Sequence, residues 1–482
     1  MSENIIHEKA ERIRDVIRYI KRFKNAKIII YIDDEIIDSP LFLDHIKDIC
    51  LIHESGIQVL IVPGARKRIN EILTASKINW NFKDGNRITS SNAMPLIKMA
   101  AFDVSNQVMT ALAGEKVTAV IGNWVSARGK GIINGFDYGT SGEIDKLQDD
   151  SIRTVLNNGF IPIFPCIGWS NVGKPYNISS TALAEQIAVH LQADKLFFLL
   201  PSANISKTSF IIPNEIGTSP EGNIPAMNLE ELSLFLKTNE QSVNSNDSTN
   251  NHSVNSLKST NEQSVNIRNS TNNQLVVEKR EAFKERIFSL LHLSEQACKA
   301  GVSRVHILNG SVDGTLPCEI FSDLGSGTMI YKNNYGGIRQ MTHEDISSVL
   351  SLMKPFVDKG ILLPRTESQL NEQFQDYIVY EIDGIIRACS ALHQYNDGQM
   401  EIAAVAVDES CAHIGIGPKL ISFLVDKARH LNAKSVFILT TQTSDWFEQL
   451  GFVSSDISTL PQKRKDIWTP DRGSKLMRLI LK

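Results

Sequence analysis

The fold of the C-terminal part of the chain is decided by the stretch Met400-Glu-Ile-Ala-Ala-Val-Ala-Val407, which leads into Ala412-His-Ile-Gly-Ile-Gly417. The first eight residues are mostly apolar, which predicts a strand, and apolar residues then recur at helical spacing over 417–431. A turn containing glycines therefore joins a strand to a helix. Backbone N–H groups at such a helix start attract phosphate, and Gly415 and Gly417 carry no Cβ atom to keep it away. A tight turn would also explain the two glycines.

Further predicted elements on both sides of this stretch form a mixed α+β domain. There are too many adjacent strands for a doubly wound sheet. The sequence predicts strand 337–341, helix 343–354, helix 366–373, strands 377–382, 385–393 and 399–407, helix 417–431, strand 435–440, helix 443–450 and strand 475–481.

The preceding sequence predicts a different architecture. Short apolar runs alternate with helix-length segments, which predicts a parallel sheet flanked by helices. The runs are Lys27–Ile32, Val59–Val62, Val117–Ile121, Phe160–Phe164, Leu196–Leu200 and Val305–Leu308. An amphipathic helix over 5–24 leads the domain, either docked on its own domain or in contact with a subunit or ligand. Gly336–Gly337 marks the boundary, so we expect domains at 1–335 and 336–482.

Residues 239–274 interrupt the first domain. They are almost entirely polar, and NEQSVN occurs at both 239–244 and 261–266. Because so little apolar surface cannot offset the entropy of ordering, we expect a disordered insertion here.

The composition is that of a globular chain. Of its 482 residues 42% are hydrophobic, and the net charge of −4 offers no basic surface for nucleic acid. The chain contains no apolar run of about 18 residues and no apolar run near its start, so neither a membrane span nor a signal peptide is expected. Six scattered cysteines without a C-x-x-C pair indicate a reducing compartment and no metal site. We therefore expect a cytoplasmic protein that binds no nucleic acid, membrane or metal.

The order of elements in the second domain resembles the GNAT acetyltransferase superfamily. In that family the loop at 412–417 holds the coenzyme A pyrophosphate, although an Arg or Gln usually stands at the position of Ala412. The resemblance implies acetyl-CoA as co-substrate. Its contacts would be Val405, Val407, His413, Ile414, Gly415, Gly417 and Lys419.

Catalysis of acetyl transfer to an amine requires a base, an oxyanion donor and an acid. Glu401 is the acid residue in an otherwise apolar strand, and the N–H near Val405 could face a thioester oxygen. The segments Phe437–Thr443, Trp446–Phe452 and Arg472–Lys475 are similar to the bacterial N-acetylglutamate synthase family. That resemblance implies Glu401 as general base and Thr440 as proton donor. Glu401 could instead be a solvated residue at the start of a strand.

The same resemblance implies the acceptor site. A dicarboxylate acceptor such as L-glutamate needs cationic partners, and arginine matches carboxylate geometry. Arg339, Arg472 and Ser474 would bind it. Many GNAT enzymes use a tyrosine acid at the position of Phe447, so the acid here would be Thr440 or water.

The first domain resembles the amino-acid kinase fold, an α/β/α sandwich, in its arginine-biosynthetic branch. The motifs that carry the likeness are 62–66, 122–127, 135–143, 177–180, 193–196, 301–306 and 319–328. Asp33-Asp34-Glu35 would repel a transferring phosphate, so the domain is expected to be regulatory. By resemblance, L-arginine would bind at Tyr19, Lys195, His306, Glu319 and Gly325. A satisfied core histidine remains the alternative for His306.

These resemblances imply an amino-acid N-acetyltransferase that makes N-acetyl-L-glutamate in arginine biosynthesis and responds to L-arginine. Three alternatives stay open: a GNAT enzyme for another small amino acid, a non-catalytic arginine sensor, and an N-acetylglutamate kinase-like enzyme. We expect a homo-oligomer, with a hexamer as one arrangement.

Overall fold

The structure is a computed structural model that describes residues 13–481 with the exception of 15, 18, 22, 84, 214, 220, 251–265, 322–324, 333–335, 383–384, 410 and 412–414. The chain divides into two compact units. Unit 1 comprises Met1–Ile216 and Glu221–Lys332, and unit 2 comprises Gly217–Pro220 and Asn333–Lys482.

Unit 1 alternates strands with helices, as its apolar runs predict. Its described strands are β1 (Lys27–Ile32), β2 (Gln58–Pro63), β3 (Asn81–Lys83), β4 (Asn86–Ile88), β5 (Ala119–Ile121), β6 (Val125–Gly129), β7 (Ile132–Ile133), β8 (Phe136–Asp137), β9 (Gly142–Leu147), β10 (Ile161–Ile163), β11 (Ile167–Trp169), β12 (Pro175–Asn177), β13 (Lys195–Leu200), β14 (Ala226–Asn228), β15 (Arg304–Asn309) and β16 (Thr328–Tyr331). Its helices are α1 (Asp34–Ile37), α2 (Phe42–Glu54), α3 (Arg66–Ala75), α4 (Met94–Gly114), α5 (Asp149–Asn157), α6 (Ser180–His190), α7 (Leu229–Asn250), α8 (Asn266–Lys299) and α9 (Thr315–Phe321).

An eight-stranded sheet forms the centre of unit 1, in the order β14-β16-β15-β13-β1-β2-β10-β5. The strands from β15 to β5 are parallel, whereas β16 is antiparallel to β15. Alternate residues of β1 face opposite sides: Ile29 and Tyr31 pack with α5–α8, and Ile28 and Ile30 pack with α2, α3, α4 and α9. Helices therefore cover both faces, which gives an α/β/α sandwich.

Helices α7 and α8 extend into residues 239–274, the segment that the sequence predicts to be a disordered insertion. Helix α7 runs to Asn250 and α8 begins at Asn266, so polar residues on both sides of the segment 251–265 are helical. Both helices are anchored by apolar residues elsewhere, Phe235 in α7 and Ile287 in α8. Once a helix is nucleated, each further residue adds a backbone hydrogen bond, so it can extend into polar sequence. The repeats at 251–265 lie outside the described residues.

Unit 2 is a mixed α+β domain with bounds close to those predicted. Its strands are β17 (Gly336–Gln340), β18 (Tyr377–Ile382), β19 (Ile385–Gln394), β20 (Gln399–Val407), β21 (Ser435–Thr440), β22 (Val453–Ser455) and β23 (Lys475–Ile480). Its helices are α10 (Ile346–Asp358), α11 (Glu367–Gln373), α12 (Ile416–His430), α13 (Ser444–Gln449) and α14 (Gln462–Lys465), with 3-10 turns at His343–Asp345, Phe374–Asp376, Ile457–Thr459 and Pro470–Arg472.

One seven-stranded sheet joins these strands in the order β17-β18-β19-β20-β21-β23-β22. All neighbours are antiparallel except β20 and β21. Helix α12 covers one face through Leu420 and Leu424, and α10 covers the other through Val349 and Met353. The parallel pair β20–β21 is therefore an irregularity at the centre of an antiparallel sheet.

Within the described part of the chain, no helix is both long and apolar enough to cross a bilayer.

Candidate active site

Strands β20 and β21 are paired over only three residues. Gln399–Glu401 pair in register with Ser435–Phe437, and the described pairing ends there. On its other edge β20 stays paired with β19 as far as Val407. The sheet therefore splits beyond Glu401. An extended ligand can lie in such a split and use strand-like backbone contacts.

A backbone bulge lies along this split. The register between β19 and β20 shifts between Cys389 and Ala391, and Ala404 has a φ of 54°, a left-handed conformation that alanine rarely adopts. Bulges re-aim the groups that follow them, and strain of this kind is frequent at functional sites. The bulge immediately precedes Val405, the predicted oxyanion donor. Val405 and Val407 are both half-buried.

Helix α12 begins where the loop after β20 ends. Gly415 is its N-cap with a φ of 74°, and no side chain caps the helix start. A Cβ at Gly417 would lie 3.1 Å from Trp446 Cζ2, so this position is tightly packed. Lys419 is half-buried in the first turn. His413 and Ile414, together with Ala412, lie outside the described residues, so their predicted contacts remain predictions.

Glu401 is the last residue of β20 before the split. It is 5% exposed, and its carboxylate accepts a hydrogen bond from Tyr395 Oη at 2.7 Å. Arg464 Nε on α14 lies 3.0 and 2.9 Å from Oε1 and Oε2. Burial and the adjacent carboxylate raise the pKa of Tyr395. The solvated alternative for Glu401 therefore does not describe this buried, paired side chain.

Thr440 ends β21, about 10 Å along the strand from Phe437, the partner of Glu401. Its Oγ1 lies 2.8 Å from Thr443 Oγ1 and accepts from the Thr443 N–H at 3.1 Å. Phe447 is buried in the core of unit 2 and supplies no hydroxyl. Thr440 is therefore the predicted hydroxyl group at the end of β21, beyond the point where β20 and β21 separate.

Arg472 and Ser474 lie beside Thr440. Lys475, which follows Ser474, pairs with Thr440 across β21 and β23. Arg472 Nη2 donates to the carbonyl of Ile361 at 2.7 Å. Burial lowers the pKa of the Arg472 guanidinium, and the positive charges of Arg464 and Arg365 lower it further. The guanidinium groups of Arg464 and Arg365 therefore both lie within electrostatic range of Arg472.

The structure does not bring Arg339 into this group. Its guanidinium donates to Asp345 through Nη1 and Nη2 at 2.6 and 2.9 Å and to Glu381 through Nε at 2.7 Å. It lies on β17, three strand spacings or about 14 Å from β20. Two carboxylates thus occupy its donors in the structure, and its predicted contact with the acceptor stays a prediction. Arg365, rather than Arg339, lies within electrostatic range of Arg472.

Tyr395, Arg464 and Arg365 were not identified from the sequence. Arg464 and Arg365 lie in segments with no strong periodicity, far in sequence from Glu401. The sequence around Glu401 gives no sign of them, and only the fold brings Tyr395 and Arg464 to this residue.

In unit 1, the predicted ligands His306 and Glu319 are in contact. His306 Nδ1 lies 2.6 Å from Glu319 Oε1, and both side chains are buried. Glu319 Oε2 accepts from the backbone N–H groups of Ser326 and Gly327. Burial lowers the pKa of His306 to about 4. Burial alone would raise the pKa of Glu319, but the hydrogen bonds from His306 and these N–H groups lower it.

The hydrogen bond between His306 and Glu319 has a defined direction. A neutral His306 that donates from Nδ1 to a carboxylate must carry a lone pair on Nε2, and Nε2 is buried without a hydrogen-bond partner in the described structure. A Cβ at Gly325 would lie 2.7 Å from Glu319 Oε2, so glycine is required there. The pair thus combines a carboxylate and an unfilled acceptor.

Lys195, at the start of β13, and Tyr19 are two further predicted ligands, and they lie close to each other. Lys195 Nζ is 5.4 Å from the centre of the Tyr19 ring and 4.3 Å from that of Phe23. Lys195 also lines a cavity of about 410 Å³ together with Asp194 and Arg304. In the register of β13 and β15, Lys195 pairs with Arg304, and His306 pairs with Phe197, two residues further along.

Asp33 and Asp34 end β1, where the sequence predicts repulsion of phosphate. Asp33 accepts from Tyr31 Oη at 2.9 Å and forms a buried ion pair with Arg286. Asp34 accepts from the backbone N–H groups of Lys67 and Arg68 at the start of α3. Burial, and then the charge of Asp33, raise the pKa of Asp34 to about 6. A protein carboxylate therefore already occupies this helix start.

Comparisons with known proteins identify both units. Residues 28–200 match the amino acid kinase family, and residues 345–452 match the acetyltransferase (GNAT) family. The amino-acid acetyltransferases of Vibrio cholerae and Actinobacillus pleuropneumoniae are 28% and 29% identical to the chain over 474 and 470 residues. Each alignment covers 96% of this chain and 96% of the relative.

Crystal structures of N-acetylglutamate synthase from Neisseria gonorrhoeae are similar over 98% of this chain and 99% of theirs, at 26% identity. The TM-score is 0.72 for its complex with coenzyme A and L-arginine and 0.56 for its complex with coenzyme A and N-acetyl-glutamate. The predicted fold class, an amino-acid kinase-like sandwich followed by a GNAT domain, is confirmed. The chain is an amino-acid acetyltransferase and belongs to the bacterial-type N-acetylglutamate synthases, in which these two domains are fused.

Proposed function

We propose that the chain transfers the acetyl group of acetyl-CoA to the amine of L-glutamate, which yields N-acetyl-L-glutamate and coenzyme A. The observation that carries this proposal is the split between β20 and β21, with a buried carboxylate at one end and an uncapped helix start beside it. The relatives named above and the coenzyme A and N-acetyl-glutamate bound by the Neisseria enzyme support the same reaction.

The reaction proceeds by direct transfer in a ternary complex. The start of α12 holds the coenzyme A pyrophosphate through the N–H groups near Gly415 and Gly417 and through Lys419. Glu401 accepts a proton from the acceptor ammonium, and the free amine attacks the thioester carbon. The Val405 N–H stabilises the oxyanion that forms. The carbon–sulfur bond then breaks, the thiolate takes a proton from Thr440 or from water, and the proton that the attacking nitrogen loses as the amide forms replaces it.

The acceptor is a dicarboxylate because the site is cationic. Arg464 pairs with Glu401, whereas Arg365 and Arg472 form no ion pair with a carboxylate among the described residues, which leaves an excess of two positive charges. Two carboxylates of one acceptor balance that excess, and Ser474 beside Arg472 can add a hydrogen bond. L-Glutamate fits this charge, and neutral amino acids do not.

Unit 1 binds L-arginine as an effector. A guanidinium is a multiple donor, which matches the Glu319 carboxylate and the open Nε2 acceptor of His306. The complex of the Neisseria enzyme with L-arginine supports this assignment. We also propose that the enzyme acts as a homo-oligomer in the cytoplasm, where its six free cysteines stay reduced.

An acceptor screen tests the proposed reaction. Thiol release from acetyl-CoA should be fastest with L-glutamate, slower with L-aspartate and absent with L-glutamine, and ATP should not change it. Release with no acceptor dependence, or ATP-dependent phosphorylation of N-acetyl-L-glutamate, would contradict the proposal.

A further inference from the structure

Arg464 makes an unusual contact with Glu401. A single nitrogen, Nε, lies 3.0 and 2.9 Å from the two carboxylate oxygens. The Arg464 side chain is 14% exposed, and the Glu401 side chain is 6% exposed. Within the described chain, Nη1 and Nη2 of Arg464 donate to no protein atom. Four of the five guanidinium N–H groups are therefore left over after the contact with the base.

Arg339 provides a comparison within the same unit. Its three nitrogens all donate to carboxylates, two to Asp345 and one to Glu381. A structural ion pair uses the guanidinium fork in this way, because each additional charged hydrogen bond offsets part of the cost of burial. Arg464 instead leaves its fork unused in a partly buried site. This difference indicates that the fork serves a partner that is not part of the protein.

The position of that fork defines the partner. The Nη atoms belong to the same planar group whose Nε contacts Glu401, so a bound anion would lie immediately beside the base. In an α-amino acid, the amine and the α-carboxylate are attached to one carbon atom. An acceptor whose amine faces Glu401 therefore has its α-carboxylate close to Nη1 and Nη2.

We propose that Arg464 binds the α-carboxylate of the acceptor through Nη1 and Nη2 while its Nε holds Glu401. The proposal rests on the proposed function and adds a specificity residue to it. Arg472, which lies within electrostatic range of both Arg464 and Arg365, then takes the side-chain carboxylate together with Arg365. One side chain thus fixes the distance between the base and the amine that it deprotonates, and amines without an adjacent carboxylate are poor acceptors.

Tyr395 supplies a matched control. Its hydroxyl donates to Glu401 Oε2 at 2.7 Å, and its ring packs near Phe437 at 5.8 Å between centroids. It therefore contacts the same base as Arg464 but carries no charge for a carboxylate. Loss of the Tyr395 hydroxyl should impair the base for every acceptor alike.

The test compares L-glutamate with 4-aminobutanoate, which is glutamate without its α-carboxylate. We would measure kcat/KM for both acceptors at saturating acetyl-CoA in the parent enzyme, Arg464→Ala, Arg464→Lys and Tyr395→Phe. The preference for glutamate should fall by about 10- to 100-fold in Arg464→Ala, the usual value of a charged hydrogen-bond pair. Arg464→Lys should restore part of it. Tyr395→Phe should lower both activities and keep the preference.

Binding measurements keep the test decisive where turnover is too slow. Calorimetry of each acceptor with the enzyme–coenzyme A complex should show weaker glutamate binding in Arg464→Ala and unchanged 4-aminobutanoate binding. An unchanged preference, in rate and in binding, would overturn the proposal and leave Arg464 as a residue that only positions Glu401. A parent enzyme that does not acetylate glutamate would instead overturn the proposed function.

Discussion

The starts of helices α12 and α3 can both attract an anion, but they differ in whether a protein carboxylate is already bound there. Both follow a strand and a glycine-containing turn, and both present backbone N–H groups that attract an anion. At α12 no side chain caps the helix start. At α3 the Asp34 carboxylate accepts from the N–H groups of Lys67 and Arg68.

The contrast explains why one unit can hold a phosphate-bearing ligand and the other cannot. In the sequence, the acidic residues at 33–35 predict repulsion of phosphate. The structure adds that Asp34 occupies the anion position itself and that Asp33 is paired with Arg286. A phosphate would have to displace a bonded carboxylate as well as approach its charge. The kinase alternative is therefore disfavoured on two grounds.

The largest expected effect concerns the chemistry of the open site. Glu401→Gln should lower turnover by about 10²- to 10⁴-fold, the usual share of a general base, and leave acetyl-CoA binding nearly unchanged. Steady-state kinetics and acetyl-CoA titration would measure both. The loss should shrink at high pH, where free amine is abundant. Glu381→Gln, a control on β18, should retain most activity, and full activity of Glu401→Gln would remove Glu401 from the mechanism.

The cationic side of the open site gives the second effect. Arg472→Ala should reduce kcat/KM for glutamate by about 30- to 1,000-fold, equivalent to about 2–4 kcal/mol, because a desolvated carboxylate loses its charged partner. The KM for acetyl-CoA should change little.

Arg339→Ala is the matched control for Arg472→Ala. It should lower Tm because Asp345 and Glu381 lose their partner, and the KM for glutamate should stay near that of the parent. A large rise in that KM would return Arg339 to the acceptor site.

The third effect concerns the binding of a cation, L-arginine, to unit 1, in which Asp34 occupies the helix start at α3. Millimolar L-arginine should change acetyl transfer by about 5- to 150-fold, the usual range of coupling between sites. Glu319→Ala should abolish the response and spare basal turnover, because it removes the carboxylate that pairs with the guanidinium. Arginine titration of rate and heat would measure this. Neither heat nor rate change in the parent would leave unit 1 as an oligomerisation scaffold.

The smallest effect concerns the filled helix start at α3. The pKa of folded Asp34, about 6, lies above that of an unfolded aspartate, so the folded form retains a proton that the unfolded chain has released between about pH 4 and 6. Its contribution to stability is present at low pH and is lost as pH rises through 6, by up to about 3 kcal/mol.

Asp34→Asn keeps the capping oxygen and removes this titration. The difference in Tm between the variant and the parent should therefore grow in favour of the variant from pH 4.5 to pH 7.5. Parallel Tm profiles across that range would show that Asp34 stays ionised throughout.

The sequence by itself predicted the fold classes of both parts of the chain and the strands of the central sheets with long apolar runs, because apolar periodicity reports burial directly. The bounds of β1, β18 and β21 are those predicted. Glu401 and Thr440 were also predicted before the fold was known, Glu401 as the acid of an apolar strand and Thr440 from the family resemblance. Polar composition alone gave no sign of the helices at 239–250 and 266–274, because both are anchored by apolar residues outside the segment.

Only the tertiary structure decided which arginines surround the base. Arg339, Arg365, Arg464 and Arg472 look alike in sequence, and their roles depend on which carboxylates the fold places beside them. Arg339 meets Asp345 and Glu381, whereas Arg464 meets Glu401 and keeps its fork unused. A charged side chain far from its partner in sequence gains its role through distance and desolvation, and both quantities exist only once the sheet has formed.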